Sequence, residues 1–208
     1  MKVISTVDEV FSLPGKRIAF FGGSFDPPHF GHLDFIRKAA VMQKLDHIIV
    51  CPHSHNPEKK VAEIEHRLRM MDLIFETNTE TNIFALSPIV CHGIQNQLFI
   101  DDILYLLRRR KKEVYVLLGC DSLEHCSAMF QSLDVTFIIG CRVTRSEVEK
   151  RMLSQNCKCI FIDDMFHCSS TRIKGEPQIR DIYLSPEVVS YIEQNHLYWS
   201  QQGCEDCN

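Results

Sequence analysis

Five short runs along the chain are apolar at nearly every position: "RIAFF" (17–21), "HIIVC" (47–51), "VYVLLG" (114–119), "VTFIIG" (135–140) and "CIFID" (159–163). Their length and their Val, Ile and Phe content predict strands, and the lack of alternation predicts a parallel sheet covered on both faces. Between them the apolar spacing changes to three and four. "GHLDFIRKAAVMQ" (31–43) sets Leu33, Ile36, Ala40 and Val41 on one expected helix face, and "AEIEHRLRMMDLIF" (62–75) and "FIDDILYLLRRRKK" (99–112) repeat the pattern. Strand and helix in alternation, with short connections, predict an α/β fold: a doubly wound, mostly parallel sheet. Two terminal helices complete the picture. "STVDEV" fits a capping box of Thr6 with Glu9, opening a short helical extension within residues 1–16. "SPEVVSYIEQNHLYW" (185–199) reads as a closing helix with Ser185 as cap and Pro186 at its first position, before a tail over 200–208. No repeat and no long linker divides the 208 residues, so one domain is expected.

Composition narrows the classes. A net charge of −4 argues against nucleic-acid binding through overall charge. No apolar run is long enough to cross a bilayer. The opening "MKVISTVDEVF" lacks the apolar centre and cleavage site of a signal peptide, so a cytoplasmic protein is expected. Of ten cysteines, Cys51, Cys91, Cys120, Cys126, Cys141 and Cys168 stand singly, often beside apolar residues, and read as small buried hydrophobes with reduced thiols. Only "CKC" (Cys157, Cys159) and "CEDC" (Cys204, Cys207) are close pairs, and the second has no partner pair at a zinc-finger spacing. No resident metal site is expected.

The densest chemistry lies in "GGSFDPPHFGH" (22–32), directly after the first long apolar run. In open parallel sheets, ligands gather at the carboxyl ends of the strands. Gly22 and Gly23 let main chain approach a phosphate closely, Pro27 and Pro28 stiffen the exit, and His29 and His32 share one side of a helix's first turn. Two imidazoles with helix N-terminal amides suit a highly charged anion such as a polyphosphate. A tight turn with surface histidines is the plainer reading of either feature alone. Elsewhere, "CSST" (168–171) after a strand offers a second group of hydroxyls and amides, with Arg172 and Lys174 adding charge, or an ordinary cap. "LGCDS" (118–122) sets Asp121 where a carboxylate can accept from a sugar hydroxyl or cap a helix.

"GGSFDPPHFGHL" resembles the nucleotide-binding signature of the HxGH nucleotidyltransferases, and is especially similar to bacterial nicotinate-nucleotide adenylyltransferases. Further segments follow in the family's order. "VCPHSHNPEKK" resembles its proline-rich loop ending in a lysine, here Lys59, and "HRLRMM" resembles its Arg-x-x-Met at Arg67 and Met70. "LLGCDSL" matches its Gly-x-Asp-Ser at Gly119, Asp121 and Ser122, and "CSSTRIKG" its Ser-Ser-Thr element at Ser169, Ser170 and Thr171. The resemblance spans roughly residues 17–198. It implies a Rossmann-like nucleotidyltransferase fold that transfers AMP from ATP to a pyridine mononucleotide, with Mg²⁺ arriving on the nucleotide. It assigns transition-state stabilisation to His29, His32, Lys59 and Lys174. Gly22, Gly23, Ser24, Phe25, Gly119, Asp121, Ser122, Ser169, Ser170, Thr171 and Arg172 are assigned to nucleotide binding.

Three departures fall on the acceptor side. Phe99 stands near the family's Ser-Tyr-Thr segment, Phe130 is the nearest aromatic where a tryptophan stacks on the pyridine ring, and Lys174 replaces an arginine fork with a point charge. Nicotinate mononucleotide is the expected acceptor. Nicotinamide mononucleotide or another phosphate such as phosphopantetheine, and a nucleotide-binding regulator without turnover, are the alternatives. The sequence leaves open whether the chain forms a homo-oligomer.

Overall fold

In the strand built from "RIAFFGG", Ile18 and Phe20 face one side and Ala19 and Phe21 the other, and all four are buried. That alternation sorts the core into two layers, one on each face of the sheet. The computed structural model describes residues 1–53, 61–76, 82–87, 98–123, 134–152 and 157–199. In chain order the described elements are β1 (Lys2–Ile4), α1 (Val7–Ser12), β2 (Arg17–Gly23), α2 (Phe30–Gln43), β3 (His47–Pro52), α3 (Ile64–Phe75) and β4 (Asn82–Leu86). There follow α4 (Leu98–Arg109), β5 (Glu113–Gly119), β6 (Thr136–Gly140), α5 (Arg145–Met152), β7 (Lys158–Ile162), α6 (Ser170–Gly175), α7 (Arg180–Tyr183) and α8 (Pro186–Gln194).

The seven strands form one sheet in the order β1-β4-β3-β2-β5-β6-β7, every neighbouring pair parallel. From β2 the chain winds outward through β3 and β4, then crosses back to place β5 on the other flank of β2. The winding direction therefore reverses between β2 and β5, and the crevice beyond their carboxyl ends is where this architecture holds ligands. Ala19 and Phe21 pack against Leu33, Phe35 and Ile36 of α2 and, in the same layer, Met70 and Met71 of α3 and Val188 and Ile192 of α8. On the opposite face, Ile18 and Phe20 join Val10, Ile103, Leu104, Leu107 and Val148. The expected doubly wound sheet is present, and it is parallel throughout.

Several local expectations change. Val41 is 73% exposed, because at about 100° per residue it lies about 140° round α2 from Ile36, and the buried face runs through Phe35, Ile36, Ala39 and Ala40. The closing helix stops at Gln194. Residues 195–198 form turns, with His196 and Tyr198 at φ of 51° and 59°. Neither β1, at the edge of the sheet, nor β4, between β1 and β3, has a counterpart in the apolar runs. Thr6 caps α1 as expected, its Oγ1 accepting from the Glu9 amide at 3.3 Å, while Glu9 Oε1 accepts from the Ser5 amide at 3.3 Å. Cys51, Cys120, Cys141 and Cys168 are buried free thiols. Cys91, Cys126, Cys204 and Cys207 lie outside the described residues. Among those described, no helix is long and apolar enough to cross a membrane.

Candidate active site

β2 delivers its last residues to the crevice at the switch point, and the turn Ser24–His29 carries the chain into α2. Phe25 adopts φ 48°, a left-handed conformation that costs a non-glycine residue about 1–2 kcal/mol. Its ring is 1% exposed, packs edge-on to Phe21 at 5.2 Å between centroids and lies 5.0 Å from the His32 ring. Phe25 is thus the floor beneath His32, and its burial offsets the backbone strain. Gly23 lacks a Cβ because one would come within 3.2 Å of that phenyl ring.

His29 is the N-cap of α2, and His32 lies one turn on. The two rings stack with centroids 3.7 Å apart and planes 24° from parallel. His32 Nδ1 accepts from the His29 amide at 3.1 Å. That bond requires the Nδ1 lone pair, so the proton of the neutral ring sits on Nε2 and makes it a donor. His29 is 1% exposed, whereas His32 is half-buried. His29 Nδ1 is buried and has no hydrogen-bond partner among the described residues. A Cβ on Gly31 would meet the His29 ring at 3.0 Å and the Phe166 carbonyl oxygen at 3.1 Å, so glycine is what allows the ring to lie flat there. Burial, with the nearby Arg142 charge second, pushes the His29 imidazole down to about 3. Burial, then His29 and Arg142, holds His32 well below its usual value. Both rings are neutral at pH 7 in the ligand-free protein.

Arg142, at the exit of β6, is a site residue that the sequence motifs do not mark. It donates to Asp121 Oδ2 at 2.7 Å, which ties the Gly119–Ser122 turn at the end of β5 to the next strand. An arginine two residues past β6, the strand beside β5, is the signal that could have found it. The serine-rich turn also meets the first loop. Ser170 Oγ donates to the Pro27 carbonyl at 2.9 Å, and Ser169 Oγ accepts from the Arg172 amide at 3.2 Å as the cap of α6. Arg172 turns outward onto Glu176 at 3.0 Å, and Thr171 is exposed.

Beneath these turns lies a polar node centred on Asp26, 2% exposed. Its Oδ2 takes the Lys174 ammonium at 2.6 Å, and its Oδ1 accepts from the Tyr198 hydroxyl at 2.6 Å and the Ala62 amide at 3.1 Å. The fully buried Arg67 donates to the carbonyls of Ser24, His53 and Ala62 at 2.7–2.8 Å, binding the exits of β2 and β3 to the start of α3. Lys174 is therefore engaged with a carboxylate in the ligand-free protein. Lys59 and Phe130 lie outside the described residues. His29, His32, Asp121, Ser169 and Ser170 converge on the carboxyl side of the sheet; the Arg172 head does not. Among the described residues, no group of three His, Cys, Asp or Glu side chains could hold a metal ion.

The chain matches the cytidylyltransferase-like family over residues 20–176. It belongs to that family. Among curated members, it is 30% identical over 199 residues to a probable nicotinate-nucleotide adenylyltransferase of Bacillus pumilus, covering 89% of this chain and all of that one. It is 27% identical over 197 residues to the Bacillus subtilis nicotinate-nucleotide adenylyltransferase, covering 89% of this chain and 100% of the relative. Its fold matches that of the Plasmodium falciparum nicotinic acid mononucleotide adenylyltransferase complexed with NaAD, with a TM-score of 0.71 at 20% identity over 88% of this chain and 98% of that one. In this cytidylyltransferase-like chain the histidine pair stands at the switch point of the sheet.

Proposed function

We propose that the protein transfers AMP from ATP to nicotinate mononucleotide, releasing pyrophosphate and forming deamido-NAD, as a cytoplasmic step of NAD biosynthesis. The observation that carries this reading is the stacked His29–His32 pair at the N-terminus of α2, with a Nε2 donor on His32 and main chain stiffened on both sides. A phosphate oxygen of the acceptor attacks the α-phosphorus in line, the new P–O bond forms, and the bridging oxygen between α and β leaves with pyrophosphate. Such transfer needs positioning and charge neutralisation rather than a covalent intermediate.

His32 takes the direct role, donating from Nε2 to the phosphates, and His29 supports it as the buried face of the stack. Helix N-terminal amides of α2 add donors. ATP enters as its magnesium complex, so the divalent ion is part of the substrate. Asp121, held by Arg142, is placed to accept from a ribose hydroxyl. Lys174 and Lys59 supply further positive charge, Lys174 by exchanging its Asp26 partner for a phosphate oxygen. The assay is pyrophosphate release from MgATP with each mononucleotide. Release with nicotinate mononucleotide is expected; release with nicotinamide mononucleotide alone would reassign the acceptor, and ATP binding without release from any acceptor would leave a nucleotide sensor. His32→Ala is expected to lower turnover about a hundredfold while the protein still folds.

A further inference from the structure

The Asp26 carboxylate draws Ala62, Lys174 and Tyr198 from three separate parts of the chain, and the least expected is Tyr198. After α8 ends, the chain takes left-handed conformations at His196 and Tyr198, which folds it back over the domain. The Leu197 amide donates to the Ile192 carbonyl at 2.9 Å, and Arg180 Nη2 donates to the Tyr198 carbonyl at 3.4 Å. The result brings a phenol to a residue 172 positions earlier, with an O···O separation of 2.6 Å. Burial, with the Asp26 charge second, pushes the Tyr198 hydroxyl far above its ordinary value, so it stays protonated and remains a donor. The Lys174 ammonium lies 5.6 Å from the centre of the same ring and on the other oxygen of Asp26.

We propose that Tyr198 is a positioning residue for adenylyl transfer: through Asp26 it holds the loop that carries His29 and His32. The inference rests on the adenylyltransferase reading. Asp26 directly precedes Pro27, whose carbonyl receives Ser170, and lies three residues before His29. A hydrogen bond to a buried carboxylate fixes that side chain and the main chain bearing it. When Lys174 leaves Asp26 for a phosphate, Tyr198 and the Ala62 amide are, among the described residues, the donors that keep the carboxylate in place. The terminal segment thus acts on the chemistry from outside the site, with no contact to substrate.

The test uses the full chain with Tyr198→Phe, which keeps the ring and removes only the hydroxyl, together with Asp26→Asn and the double variant. At 25 °C the Phe variant is expected to lose about tenfold in kcat, the effect of one hydrogen bond to a charged group, with KM for both substrates within twofold. The double variant should lose no more than Asp26→Asn alone. Amide exchange should quicken across 24–33 and stay unchanged in β5. A Phe variant that merely melts earlier, with kcat within twofold of the parent, would overturn the proposal, as would losses that multiply. If the parent itself transfers no AMP, the functional reading falls instead. The exchange measurement then decides alone: quickening confined to 24–33 supports the proposal, and unchanged exchange there defeats it.

Discussion

Acidification tests the histidine stack without touching substrate. In the unfolded chain an imidazole titrates near 6.5, whereas His29 in the folded protein is pushed down to about 3. Between these values the unfolded state binds a proton that the folded state does not, so stability falls as pH falls through that window. Because His29 is 1% exposed, solvent screening takes little from the effect. Integrating the linkage from pH 7 to pH 5 for this one group gives a loss of about 2 kcal/mol. His32 adds a loss of the same sign over the same range. Urea unfolding at pH 7, 6 and 5 measures it, with His29→Asn as the comparison. The parent is expected to lose about 2 kcal/mol more than the variant between pH 7 and 5. Parallel losses in the two proteins would show that His29 titrates normally, and the buried neutral stack would be refuted.

Gly31→Ala puts a methyl group 3.0 Å from the His29 ring and 3.1 Å from the Phe166 carbonyl. Backbone on one side cannot give, so the ring must turn, and kcat should fall more than tenfold with a lowered melting temperature. Arg67→Met strands the buried carbonyls of Ser24, His53 and Ala62 and should cost about 3 kcal/mol or more in denaturant unfolding. Arg142→Ala removes a positive charge that depresses both imidazoles and frees Asp121 from its 2.7 Å partner. NMR titration should then show both histidines moving upward, with a raised KM for ATP.

The strands, the main helices and the first loop were legible because each is local. An apolar run of five and a run of glycine, proline and histidine carry their meaning within a dozen residues. β1 and β4 were not: β1 is an edge strand of three residues, and the apolar part of β4 is only the four residues after an exposed Asn82. Val41 was placed on the wrong face: five residues at about 100° each carry it to the far side of α2 from Ile36. The motif histidines stand together as the spacing implies. What spacing could not convey is the layer that holds them. Asp26 meets Lys174 and Tyr198, and Asp121 meets Arg142, across distances in sequence that only the fold closes. Lys174 shows the consequence: its charge was legible, its carboxylate partner was not.

The proposed adenylyl transfer requires the β2–α2 junction to grip the phosphates of ATP through His32. A crystal structure of the protein with a non-hydrolysable ATP analogue tests it most directly. A phosphate oxygen within about 3 Å of His32 Nε2, with the chain of phosphates lying over the start of α2, is the predicted result. A nucleotide seated elsewhere, with the His32 ring untouched, would contradict it.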